Sequence, residues 1–136
     1  MKIVVSPNPY RDKQFKNARQ ACSILREAGA EVALCLPFDV DKTFEIPHDL
    51  RFQDIQKEIK TADMLICFGG DGTILHSSKI ATEHNLPILG VNIGTMGFIA
   101  ELEAGEIELL RKIPKGDYTV EERTMLDVSV GNGRQT

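Results

Sequence analysis

The run Phe68-Gly69-Gly70-Asp71-Gly72-Thr73 sets one carboxylate among three glycines, directly after the apolar stretch Met64-Leu65-Ile66-Cys67-Phe68. A short, continuous apolar run of this kind suits a strand buried on both faces of a parallel sheet. In open α/β sheets ligands bind at the carboxyl ends of such strands. Glycines there allow close approach of the backbone and positive φ, and the first amides of a following helix offer donors and partial positive charge to an anion. The junction is thus suited to phosphates and a hydroxyl. Asp71 is the odd member, since a carboxylate repels phosphate, and a repulsive group at an anion site is easier to explain by chemistry than by packing.

The flanking pattern extends this into a fold. Lys2 to Ser6 reads as a strand ended by Pro7 and Pro9, and residues 13 to 28 as a helix stopped by Gly29, with Ala18, Ala21, Cys22, Leu25 and Ala28 on one face. Glu31 to Leu36 gives a second strand, so the chain opens as a βαβ unit. Residues 37 to 50 read as a mobile loop, Phe52 to Lys60 as a short helix, Thr73 to His84 as a helix and Pro87 to Asn92 as a strand. The order βαβαβαβ predicts a doubly wound, mostly parallel sheet, a Rossmann-like three-layer α/β fold. An amphipathic helix is expected over 105 to 113.

Beyond Gly116 the pattern changes. Tyr118 to Glu122 and Met125 to Val130 alternate apolar and polar residues, and Gly131-Asn132-Gly133 is a hairpin-turn signal. The expected organisation is an α/β domain over 1–117, followed over 118–136 by the start of an antiparallel, β-rich second domain. The hairpin's second strand is missing, so the chain reads as a fragment of something longer.

The chain has 136 residues, 42% of them hydrophobic, enough for one core. A formal charge of -4 provides no general attraction to polyanions, which argues against nucleic acid as a partner. Cys22, Cys35 and Cys67 lie in apolar stretches without CxxC spacing and read as reduced core thiols. No signal peptide or membrane-length apolar stretch is present, so a cytoplasmic protein is expected and no membrane partner.

The glycine-rich run matches neither common phosphate template. A Walker loop needs GxxxxGK[ST], yet no Gly-Lys pair follows Gly69, and the dinucleotide fingerprint would need Gly or Ala where Leu75 stands. A plain strand-to-helix turn capped by Asp71 or Thr73 is the competing reading; three glycines around the Asp favour a site. Its simplest chemistry is phosphoryl transfer, with Asp71 accepting a hydroxyl proton while the glycine amides hold a phosphate donor. Mg²⁺ would offset the donor's charge without requiring a protein cage. A second glycine-rich loop follows the next strand, Gly90-Val91-Asn92-Ile93-Gly94-Thr95-Met96-Gly97-Phe98. Two such loops can enclose one ligand, Asn92 offering donor and acceptor and Phe98 either stacking on a base or filling the core.

Together, GGDGT at Gly69 to Thr73 and G-V-N-x-G-x-M-G-F at Gly90 to Phe98 resemble the NAD kinases, and Glu122-Arg123-Thr124-Met125-Leu126 is similar to that family's link into its β-rich C-terminal domain. The resemblance implies transfer of the ATP γ-phosphoryl to the adenosine ribose 2'-hydroxyl of NAD, with Mg²⁺ or another divalent cation, in a protein that is a homo-oligomer at full length. It makes Asp71 the catalytic proton acceptor and places NAD on Asp71, Gly72, His76 and Phe98. Gly69, Gly70, Thr73, Asn92, Gly94, Thr95 and Arg123 become the phosphate and ATP residues, and no protein metal ligand is named. On the residues alone, His76 also suits a surface helix, Arg123 an ion pair and Lys79 plain solvation. The family's Asn-Glu segment is absent, so the chain is expected to hold half a site. A lipid or sugar kinase of the same superfamily, or a non-catalytic nucleotide-binding module, remains the alternative, and the donor stays open among ATP, another nucleotide and polyphosphate.

Overall fold

A computed structural model describes residues 1–94, 100–122 and 126–131. Its elements follow the predicted alternation: β1 (Lys2–Pro7), α1 (Lys16–Glu27), β2 (Glu31–Leu34), α2 (Ile55–Glu58), β3 (Met64–Gly69), α3 (Asp71–Glu83) and β4 (Ile88–Asn92). After these come β5 (Leu102–Glu103), a 3-10 helix over Ala104–Lys112, β6 (Thr119–Glu122) and β7 (Leu126–Ser129). The sheet runs β2-β1-β3-β4-β7-β6, with β5 beside β4. Every pairing is parallel except β6 with β7.

The apolar strands are continuous because both faces are covered. Ile3, Val5, Met64, Ile66 and Phe68 pack with α1 and the Ala104–Lys112 helix, whereas Val4, Leu65 and Cys67 pack with α2 and α3. Alternate side chains point to opposite layers, so a strand between two helical layers has no polar face. The result is the expected three-layer α/β sandwich.

Two helices depart from expectation. Residues 13 to 15 form a 3-10 turn in which Gln14 and Phe15 take left-handed φ of 53° and 56°, and α1 starts only at Lys16. The kink swings Phe15 into the core against Phe44 and Phe52. It also lets the buried Asp12 carboxylate accept the amides of Asn17 and Ala18, where the helix is electropositive. The second case is the 3-10 rather than α form of Ala104–Lys112. Buried Ile107, Leu110 and Ile113 recur every third residue, the spacing of a 3-10 helix.

The glycine breaks behave as expected at Gly29, with φ of 101° after α1, and Asn85 takes φ of 54° just past α3. The proposed turn residues Asn132 and Gly133 lie outside the described residues. Residues 37 to 50 carry neither helix nor strand, yet they are pinned by an aromatic cluster. Phe44 stands edge-on to Tyr10 at 5.3 Å and to Phe15 at 6.1 Å.

Cys22, Cys35 and Cys67 are free, buried thiols. Burial pushes Cys67 up to about 12 from 9.0, and burial, reinforced by the charges of Glu58 and Asp54, does the same to Cys35. The native state therefore favours the neutral thiols. Their contribution to stability is intact below about 9.0 and is lost as pH climbs toward about 12. At pH 8 a thiol reagent is expected to label all three only after unfolding. Stoichiometric labelling of the native protein would contradict the burial.

Candidate functional site

Because β1 connects to β2 on one side while β3 joins it on the other, the loops leaving the carboxyl ends of β1 and β3 diverge. That divergence opens the crevice in which doubly wound sheets bind ligands. A cavity of about 450 Å³ lies there, lined by Asn8, Arg11, Phe38, Gly70, Asp71, Gly72, Thr73, His76 and Gly94. The glycine-rich run forms its floor. Gly70 is the N-cap of α3 and carries no capping side chain, and the first backbone bond of the helix runs from Ile74 N–H to the Gly70 carbonyl. First-turn amides, which have no intrahelical carbonyl, are thus offered to a ligand or water.

The glycines serve close approach rather than positive φ. Among the described residues only Gly29 and Gly116 are glycines with positive φ. A Cβ at Gly69 would lie 2.5 Å from the Thr73 Cβ and 2.6 Å from its Oγ1, so Gly69 is the floor on which α3 begins. At Gly94 a Cβ would come 3.2 Å from Arg11 Nη1 and 3.7 Å from the Gly70 Cα, whereas at Gly72 it would meet nothing within 4 Å. Gly72 is therefore open to the cavity. Gly94, early in the second glycine-rich segment, thus lies close to Gly70 of the first.

The mouth is braced by Asn8. Its backbone N–H donates to the Phe68 carbonyl at 2.8 Å, its Nδ2 donates to Thr73 Oγ1 at 2.8 Å, and its Oδ1 accepts the Tyr10 amide at 2.9 Å. Thr73, 7% exposed, is tied to the β1 loop. On the other side the Ile93 amide donates to the Gly69 carbonyl at 3.2 Å. The end of β3 is thus held by both neighbouring strands.

Of the residues expected at the site, Gly70, Asp71, Gly72, Thr73, His76 and Gly94 line the one cavity. Asp71 is the first residue of α3 and the single carboxylate among the lining residues. The exposed His76 has its Nε2 2.9 Å from the Pro37 carbonyl and its ring edge-on to Phe38. Asn92 is placed differently. It is buried, its Nδ2 donates to Glu103 Oε2 at 2.9 Å and its Oδ1 accepts the Gly94 amide at 3.0 Å, so its amide shapes the second loop from behind. Lys79 is exposed on α3. Thr95, Phe98 and Arg123 lie outside the described residues.

Asn8, Arg11 and Phe38 were not expected. Their signal is position: Asn8 and Arg11 follow the first strand, and any loop leaving a strand at the switch point faces the ligand. The sheet order that makes β1 such a strand is set by long-range pairing. Phe38 reaches the site by stacking on Tyr10, with centroids 6.1 Å apart and planes within 7°.

Comparison with known proteins bears on the same segments. The model of the ATP-NAD kinase N-terminal domain matches residues 2–118. The chain belongs to this family. Proteins named NAD kinase are similar along most of its length: one from Bacteroides fragilis is 32% identical over 130 residues, 94% of this chain and 45% of that protein. One from Caldanaerobacter subterraneus is 35% identical over 130 residues, 95% of this chain and 44% of the relative. A Methanopyrus kandleri relative is 36% identical over 115 residues, 84% of this chain and 39% of the relative. The chain thus spans less than half the length of these NAD kinase-family relatives. No helix among the described residues is long and apolar enough to cross a membrane.

Proposed function

We propose that this chain is the catalytic α/β part of an NAD kinase, which moves the γ-phosphoryl of ATP to the adenosine ribose 2'-hydroxyl of NAD and yields NADP. The observation that carries the reading is the placement of Asp71. One carboxylate stands in a cavity whose floor is glycine backbone and the start of a helix, beside the second glycine loop, in a member of the ATP-NAD kinase N-terminal domain family.

In this reading the phosphate chain of the donor lies on Gly70 to Thr73 and Gly94, and the ribose of the acceptor reaches Asp71 past the open backbone of Gly72. Asp71 orients the 2'-hydroxyl and accepts its proton. The 2'-oxygen forms a bond to the γ-phosphorus as that phosphorus loses its bond to the β–γ bridging oxygen, and ADP leaves with the electron pair. A carboxylate is a weak base, but the loose transition state of phosphoryl transfer needs alignment more than proton affinity. His76 borders the same cavity as a group for NAD, and Phe98, Thr95 and Arg123 complete the proposed contacts. Asn92 acts through Gly94.

Mg²⁺ fits as a companion of the donor's phosphates. Asp71 is the single carboxylate that lines the cavity, and an ion held mainly by waters and the donor's phosphate oxygens would require no protein cage. When bound, it would neutralise phosphate charge. We propose that the second domain starts at residue 118, where the family match ends; the antiparallel pair β6–β7 that follows still joins the α/β sheet through β7 beside β4. A cytoplasmic setting agrees with the three free thiols.

The test is NADP formation from NAD, ATP and Mg²⁺, by this chain and by a form extended to the length of its relatives. The extended form is expected to turn over, and the 136-residue chain to be weak or inactive. Failure of the extended form with ATP, other nucleotides and polyphosphate would remove the kinase reading. Transfer to a lipid or sugar instead would favour the alternative substrate class.

A further inference from the structure

The cavity contains a cation that the motifs do not include. Arg11 sits on the loop after β1, exposed, and its guanidinium reaches between the two glycine-rich turns. A Cβ at Gly94 would stand 3.2 Å from Arg11 Nη1, and one at Gly70 would stand 3.9 Å from its Nε and Cζ. The loop that carries it is fixed at both ends. The Arg11 and Asp12 amides donate to the Asn8 carbonyl at 3.2 and 2.9 Å, and the buried Asp12 carboxylate holds the start of α1. None of the ion pairs among the described residues includes Arg11.

We propose that Arg11 is the anion-holding residue of this site, gripping the phosphate chain of the donor from the β1 side while the glycine amides hold it from the α3 side. Three observations lead there. A guanidinium offers a planar fork of charged donors that matches phosphate oxygens. It lies over backbone stripped of side chains, where nothing separates it from a ligand on the glycines. It also faces the cavity that holds Asp71, so it offsets the carboxylate's repulsion of an incoming polyphosphate. Gly94 also leaves room for the guanidinium, since a side chain there would press against Arg11 Nη1.

The proposal rests on the phosphoryl-transfer reading for the identity of the ligand, and its test separates the two. Inorganic tripolyphosphate is titrated calorimetrically into the 136-residue chain and its variants. Arg11→Gln is expected to weaken binding by about tenfold or more, the worth of a charge-assisted, forked contact. Arg11→Lys should recover part of the loss by restoring charge without the fork. Asp71→Asn should bind at least as well as the wild type, having lost a negative charge. Melting temperatures of the Arg11 variants should match the wild type, since the side chain is exposed.

In a form that makes NADP, Arg11→Gln should raise KM for the donor and leave KM for NAD unchanged. No tripolyphosphate binding by the wild type, equal binding by Arg11→Gln, or losses in both variants together with lowered melting temperatures would each overturn the proposal. Arg11-dependent tripolyphosphate binding in a protein that never forms NADP would instead remove the kinase reading and leave Arg11 as an anion site. NADP formation with an unchanged donor KM in Arg11→Gln would do the reverse.

Discussion

Replacing Asp71 with asparagine in a turnover-competent form is expected to lower the rate of NADP formation by about 10² to 10⁴, the usual contribution of a positioned acid–base group. Asparagine keeps the size and can still hydrogen-bond the ribose hydroxyl, so binding of both substrates should persist while turnover falls. The cost to folding is small. Asp71 occupies the first helical position of α3, and loss of a favourable charge–dipole contact there is worth about 0.3–1 kcal/mol. A steady-state assay with substrate-binding and melting controls separates these effects. Unchanged turnover in Asp71→Asn would show that the carboxylate is no general base and would return it to the role of a helix-start residue.

The second large effect is on stability, at a residue three positions from the nearest well-exposed glycine. Gly69→Ala would drive a Cβ to within 2.5 Å of the Thr73 Cβ, a separation that van der Waals repulsion forbids. Neither side can yield easily. Gly69 is the last residue of a strand hydrogen-bonded on both sides, and Thr73 is buried and bonded to Asn8. Overpacking of this kind costs about 1–3 kcal/mol, and thermal unfolding should fall by several degrees. The double variant Gly69→Ala/Thr73→Gly should recover part of the loss of packing, although it gives up the Asn8 hydrogen bond. Gly72→Ala is the contrast, for nothing lies within 4 Å of its Cβ. Its melting point should hold or rise slightly, as alanine suits a helix better than glycine by about 1 kcal/mol. Equal melting of Gly69→Ala and wild type would sink the steric account.

These two glycines show where the motif could be read and where it could not. That a glycine-rich backbone links the carboxyl end of β3 to the start of α3 followed from local chemistry. That Gly69 supports Thr73, Gly72 is open and Gly94 gives room to Arg11 depends on neighbours up to 83 positions away along the chain. The Asn92 side chain illustrates the same limit. Its amide suits a ligand contact equally well on paper, but β5 brings Glu103 beside it, and the pair then holds the Gly94 amide in place. Phe38 belonged to a stretch with no periodicity, and only stacking on Tyr10 carries it to the site.

By itself the sequence determined the α/β class and the positions of most strands, though not the two-residue β5, and it singled out Asp71 as the candidate residue of the glycine-rich turn. These rest on local causes: apolar runs demand two-sided burial, glycines end helices, and a lone carboxylate among phosphate-suited amides stands out. Tertiary structure alone decided that β1 and β3 are neighbours wound in opposite directions. That arrangement opens the crevice, braces it with Asn8 and brings Arg11 and Asp71 to one cavity. Strand order is the outcome of long-range pairing and packing between segments remote in the chain, which no local pattern encodes.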